Sequence, residues 1–147
     1  MQLFKLHALH SAFWKIMALR VFLVEDSAAM RAHLMNVLVD EAGVTIAGIA
    51  DSEKQAIDWL DSNPDRWDVA LVDLFLREGT GAGVLEHCRE RHADQRVLVM
   101  TNHAQDNALL QDCRLLGADA VYHKGTGIDA LVAYCLRLAV KTSRSIA

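Results

Sequence analysis

The sequence predicts an α/β domain built on a parallel sheet. Two observations carry that prediction. Short apolar runs alternate with helical patterns along the chain. The run over residues 69–72 is continuous and apolar, as a strand covered on both faces should be. The 147 residues fit one domain with a single core, and a chain that is 52% hydrophobic and 23% charged has a globular balance.

The first strand falls on Arg20–Val24, rich in large apolar and β-branched residues. Ser27 then stands where a helix N-cap belongs. Met30, Leu34, Val37 and Leu38 share one helical face, and Gly43 ends that helix. Residues 44–50 read as the second strand. Ser52 and Gln55 make a capping-box pattern that opens a helix with Ile57 and Leu60 on one face; Asn63 and Pro64 stop it. After the third strand come a glycine-bearing loop over 74–81 and a helix carrying Val84, Leu85 and Cys88. Residues 97–100 form the fourth strand. The next helix carries Leu109, Leu110, Cys113 and Leu116 and ends at Gly117. Ala120–His123 is the fifth strand. A last helix, from about residue 127 to 140, places Ile128, Leu131, Val132, Cys135 and Leu138 inward. The domain thus spans residues 19–140, between an N-terminal extension over 1–18 and a frayed, polar tail over 141–147.

A formal net charge of -4 supplies no basic field, which disfavours direct DNA binding. No apolar run approaches the roughly 20 residues of a membrane span. Cys88, Cys113 and Cys135 are odd in number and widely spaced, so they read as small buried hydrophobes rather than a disulfide framework or zinc site. Reduced thiols suit the cytoplasm. In the extension, Leu3, Leu6, Phe13, Ile16 and Met17 recur at helical spacing. They predict an amphipathic helix that docks or makes a homodimer; the competing reading is a chain start at Met17.

In such a sheet, ligands bind beyond the carboxyl ends of the strands. Glu25 and Asp26 follow the first strand, Asp73 ends the third, Thr101 follows the fourth and Lys124 the fifth. Clustered carboxylates repel unless a cation joins them, and oxygen ligands with room for water suit Mg²⁺. Lys124 and the metal would neutralise an incoming phosphoryl group, Thr101 would donate a hydrogen bond to it, and Asp73 would be the nucleophile.

These residues lie in VFLVEDS, LVDLFLREGTG, VLVMTNHA and GADAVYHKG. Together the motifs resemble the receiver domain of two-component response regulators, including its chemotaxis-type single-domain members, over about residues 19–139. The resemblance implies a flavodoxin-like, doubly wound fold with five parallel strands in the order 2-1-3-4-5. It implies metal ligation by Glu25, Asp26, Asp73 and the backbone carbonyl of Phe75. It also implies phosphorylation at Asp73 with Thr101 and Lys124 assisting, and it matches Gly81 to the family's loop glycine. The phosphodonor would be a sensor histidine kinase or a histidine phosphotransfer protein. The output would be a contact with another protein, since one helix and a tail after Lys124 leave no room for an enzymatic or DNA-binding module. The chain would promote its own phosphorylation and dephosphorylation without being an enzyme on a separate substrate.

Three positions depart from the family pattern. Arg77 replaces the usual proline four residues past the acceptor, which predicts a more mobile loop. The switch aromatic expected three residues before the lysine is Val121, with Tyr122 one residue later. Asn102 replaces a small residue after Thr101. His87 and Cys88 point about 100° apart on a helix, so with His92 they do not read as a metal site; the two histidines read as a solvated face, and His103 and His123 as loop residues beside the rim. Two other function classes remain open. A phosphohydrolase with an aspartyl nucleophile needs a second aspartate where Phe75 stands. A phosphorylation-independent receiver-like interaction module would need none of the five site residues.

Overall fold

A computed structural model describes residues 18–146, with side chains through Lys141. The expected N-terminal helix lies outside the described residues. Five strands, β1 (Arg20–Val24), β2 (Thr45–Ala50), β3 (Val69–Asp73), β4 (Arg96–Thr101) and β5 (Ala120–His123), form one sheet in the order β2-β1-β3-β4-β5. All neighbouring pairs are parallel. The helices are α1 (Ala28–Ala42), α2 (Glu53–Ser62), α3 (Gly81–His87), α4 (Asn107–Leu115) and α5 (Ile128–Ile146). Cys88, expected on α3, falls in a 3-10 turn that extends it over Cys88–Glu90. No helix among the described residues is long and apolar enough to cross a membrane.

Alternation along the strands divides the core into two layers. Phe22, Val24, Ala70, Val72, Val97 and Val99 face one side, where Ala56, Leu60, Val84, Leu85 and Cys113 cover them. Val21, Leu23, Val69, Leu71, Leu98 and Met100 face the other, under Leu34, Leu38, Leu131, Val132 and Cys135. Each Val, Leu, Phe or Met side chain among them, fully buried, contributes about 1.5–3 kcal/mol. All three cysteines are buried, and burial pushes the thiols of Cys88 and Cys135 up to about 11.

The helix boundaries follow local chemistry. The Ser27 hydroxyl accepts from the Met30 N–H, and Gly43 closes α1 in the left-handed region at φ 65°. Ser52 caps α2 through the Gln55 N–H, but the Gln55 side-chain Oε1 accepts from the Asp51 N–H, one residue earlier than the capping box expects. Helix α5 runs to Ile146, past the end expected at residue 140. The polar tail contains no glycine or proline to break it, so polarity alone did not mark a stop.

The chain leaves β1 for the edge strand β2 and then returns to β3 on the other side of β1. The carboxyl ends of β1 and β3 therefore flank the switch point, and the site is built there.

Candidate functional site

Asp73 is the last residue of β3, and Glu25 and Asp26 directly follow β1, which pairs with β3. Oxygens of Glu25, Asp26 and Asp73 lie within 4.8 Å of one another. Glu25 is 1% exposed, Asp73 4% and Thr101 0%. Lys124 follows β5 and reaches across to this group. Its ammonium donates to Glu25 Oε1 at 3.0 Å, to Glu25 Oε2 at 3.2 Å and to Asp73 Oδ2 at 2.9 Å. Asp73 Oδ1 accepts from the Phe75 N–H at 3.2 Å. All five residues expected to share the rim are thus placed at strand ends, with four of them in one acidic–basic group and Thr101 closing β4 beside β3.

The electrostatics show what this grouping costs. Burial first, then hydrogen bonding to the neighbouring Asp73 carboxylate, raises Glu25 to about 7 against the opposing pull of Lys124. Burial alone would lower Lys124, yet its hydrogen bonds to Asp73 and Glu25 hold it above the usual lysine range. One lysine does not neutralise the acids it touches. A cation held by oxygen donors fits the remaining charge, and Glu25, Asp26 and Asp73 could hold one.

Thr101 Oγ1 accepts from the His103 N–H at 3.1 Å. That bond uses an oxygen lone pair and leaves the hydroxyl hydrogen to donate. Gly81, at the end of the loop from β3, packs against it so closely that a Cβ would stand 2.2 Å from the Asp73 carbonyl oxygen and 2.6 Å from Leu74 Cα. Only glycine fits that approach without moving the acidic strand end.

The departures from the family pattern have structural counterparts. The loop carrying Arg77 is tied on two sides. The Arg77 N–H donates to Asp26 Oδ2 at 2.8 Å, and on α2 the Glu53 N–H donates to the Glu78 carbonyl at 3.1 Å. The Thr80 hydroxyl adds a bond to Glu53 Oε1 at 3.3 Å. Val121 packs into the layer with α2, α3 and α4, whereas Tyr122 faces α5, its ring 6.3 Å from that of Tyr134. The aromatic has changed sheet face, because a one-residue displacement in a strand reverses the side. Asn102 is exposed.

Sequence reasoning missed the tether from Glu53 and the two contacts of Arg77 with Asp26. Neither has a local signal. It also gave the histidines no individual partners. His87 pairs with Asp61 at 2.7 Å, and His92 with Asp65 at 2.5 Å, so they join the end of α2 and the loop after it to α3 and the segment that follows. The His123 ring accepts from the N–H groups of Gly125 and Thr126 and shapes the turn into α5. His103 stacks edge-on against the exposed Phe75, centroids 5.4 Å apart.

A sheet with this strand order and an acid-rich switch point defines the class, and comparison with known proteins agrees. The family model of the response regulator receiver domain matches residues 21–135, and the chain belongs to that family. It is 32% identical over 99 residues, 67% of its length, to the DNA-binding transcriptional activator DevR/DosR of Mycobacterium tuberculosis, covering 44% of that protein. It is 29% identical over 117 residues, 78% of its length, to the response regulator UvrY of Escherichia coli, covering 51% of it. The chain therefore spans about half the length of these curated relatives. The receiver domain of NarL from Mycobacterium tuberculosis superposes with a TM-score of 0.72 at 24% identity, over 83% of this chain and 96% of that one. CheY in a CheX–CheY–BeF3–Mg complex of Borrelia burgdorferi gives 0.73 at 19%, over 82% and 88%. Both confirm the fold.

Proposed function

We propose that the chain is a phosphoacceptor in a two-component or phosphorelay system, with Asp73 taking a phosphoryl group from a phosphohistidine. The observation that carries this reading is the placement of Asp73, buried at the end of β3, in contact with Lys124 and within reach of two further carboxylates. Neither a helix cap nor a solvated loop explains three acids held together behind one lysine.

The chemistry is a displacement at phosphorus. An Asp73 oxygen attacks, the new O–P bond forms as the donor's P–N bond breaks, and the imidazole leaves with a proton. Mg²⁺ held by Glu25, Asp26, Asp73 and the Phe75 carbonyl would supply charge neutralisation for the phosphoryl oxygens. Lys124 pairs with a second phosphoryl oxygen, for which it exchanges its bonds to the carboxylates. Thr101 donates its hydroxyl hydrogen to a third. A sensor histidine kinase or a histidine phosphotransfer protein is the donor. The output is a changed contact with another protein. Within this reading the chain turns over only its own phosphoryl group and works in the cytoplasm, and the N-terminal extension, the domain over 19–140 and the tail are separate parts. Direct DNA binding is disfavoured by the net negative charge.

The test is intact mass after treatment with a small-molecule phosphodonor and Mg²⁺. The wild type gains one phosphoryl group, and Asp73→Asn, nearly isosteric but a poor nucleophile, gains none. An adduct of undiminished yield on the variant moves the acceptor elsewhere. No adduct on the wild type leaves a phosphorylation-independent interaction module.

A further inference from the structure

We infer that Arg77 is a resident cation that competes with the metal for Asp26 and so sets the Mg²⁺ concentration at which the site fills. The inference rests on the metal-dependent reading above and adds the regulation of that same site.

The three acids are not served alike. Lys124, its side chain 15% exposed, is bound to Glu25 and Asp73. Asp26 has no bond to that lysine; it has Arg77. One Asp26 oxygen, Oδ2, accepts the Arg77 N–H at 2.8 Å and also faces the Arg77 Nε at 3.8 Å. The Asp26 side chain is 15% exposed, against 1% for Glu25 and 4% for Asp73. It is therefore the acid an incoming cation meets first, and the meeting place already carries a positive charge.

The two cations differ in how easily they leave. Lys124 is enclosed by its carboxylates. The Arg77 side chain is 84% exposed, and its ion pair with Asp26 is long. Such a pair is worth little and is readily given up to water. A divalent ion on Asp26 would sit within a few ångströms of the guanidinium and repel it. Filling the site thus requires the Arg77 side chain to swing away, while its backbone N–H stays on the aspartate and keeps the loop in place. A proline at this position would offer neither the charge nor the N–H. The arginine therefore exchanges a rigid loop for one held through the metal site itself.

Mg²⁺ binding is read by calorimetric titration and by the rise in melting temperature with Mg²⁺, neither of which depends on phosphorylation. Arg77→Gln removes the charge and keeps the N–H. It lowers the half-saturating Mg²⁺ concentration by about two- to five-fold, the effect of removing one exposed charge at this distance. Arg77→Lys stays near the wild type. Raising the ionic strength narrows the gap between Arg77→Gln and the wild type, because the repulsion is screened. A wild-type response that Arg77→Gln matches at low salt overturns the inference and leaves the site reading intact. So does an equal shift in Arg77→Lys, which would assign the effect to loop geometry rather than charge. A wild type that binds no Mg²⁺ overturns both.

Discussion

The two ends of the sheet treat their acids in opposite ways. At the amino ends of the strands, Asp68 accepts from the N–H, Nε and NH2 of Arg20 at 2.7, 3.2 and 3.1 Å. Asp119 accepts from the Val97 N–H at 2.8 Å and from Arg91 at 3.1 Å. Each carboxylate there has its own arginine and a strand N–H to hold. At the carboxyl ends, Glu25 and Asp73 share Lys124, Asp26 takes the Arg77 N–H and a long ion pair with the Arg77 side chain, and Glu25 is pushed up to about 7 by burial and by its neighbour Asp73. The first arrangement is complete as it stands and stabilises the fold. The second is short of positive charge, which is what the metal-dependent reading proposed above requires.

Removing Lys124 should break this contrast most severely. Lys124→Ala leaves two buried carboxylates without their shared cation, and breaking such a buried pair costs about 3 kcal/mol or more. Urea unfolding in EDTA should show that loss, and saturating Mg²⁺ should recover part of it. An equal loss with and without Mg²⁺ would mean that the metal and the lysine do not answer the same charge. At the other end, Asp119→Asn should cost about 1.5–3 kcal/mol, the range for hydrogen bonds to a charged group. That cost should be the same in EDTA and in Mg²⁺, since the residue belongs to the closed set. A Mg²⁺-dependent cost would erase the distinction between the two ends.

Glu25→Gln should have the opposite sign. Gln still accepts from Lys124 but carries no charge, so the metal-free protein should gain about 1 kcal/mol while its Mg²⁺ affinity falls. A variant less stable than the wild type in EDTA would show that the charged carboxylate, not its relief, supports the fold.

These contrasts also explain what was legible in the sequence. Strand positions and the caps at Ser27, Gly43 and Ser52 depend on residues a few positions apart, and they were readable. The acids, the threonine and the lysine were readable because strand ends in a parallel sheet all point to one rim. What joins distant segments was not. The bond from Arg77 to Asp26 spans 51 positions and that from Thr80 to Glu53 spans 27. From the sequence, Arg77 was only a missing proline and predicted a looser loop; in the structure its N–H is one of the bonds that hold the loop. The overrun of α5 has another cause, because a polar composition without a breaker lets a helix continue.

The smallest expected effect concerns Tyr122, which lies between the two ends on β5. Its ring packs with Tyr134 on the α5 side, so the side chain is not directed at Thr101 through the layer where Val121 lies. Burial above all, then the nearby Tyr134 and Cys135, pushes its phenol up to about 12. Tyr122→Phe should therefore change stability by less than about 0.5 kcal/mol at pH 8, where the phenol is protonated in folded and unfolded chains alike. It should also leave the yield of the phosphoryl adduct unchanged. The pH dependence supplies a sharper reading. An unfolded tyrosine ionises near pH 10, so the folded pKa is the raised one, and the stability linked to it is present below pH 10 and lost as pH rises toward 12. The phenylalanine variant has no such loss. Between pH 8 and pH 11 the wild type should fall relative to it by on the order of 1 kcal/mol. A gap that stays constant over this range would place the Tyr122 hydroxyl in water. A loss of adduct yield in Tyr122→Phe at neutral pH would extend the site beyond the rim, into the layer beneath α5.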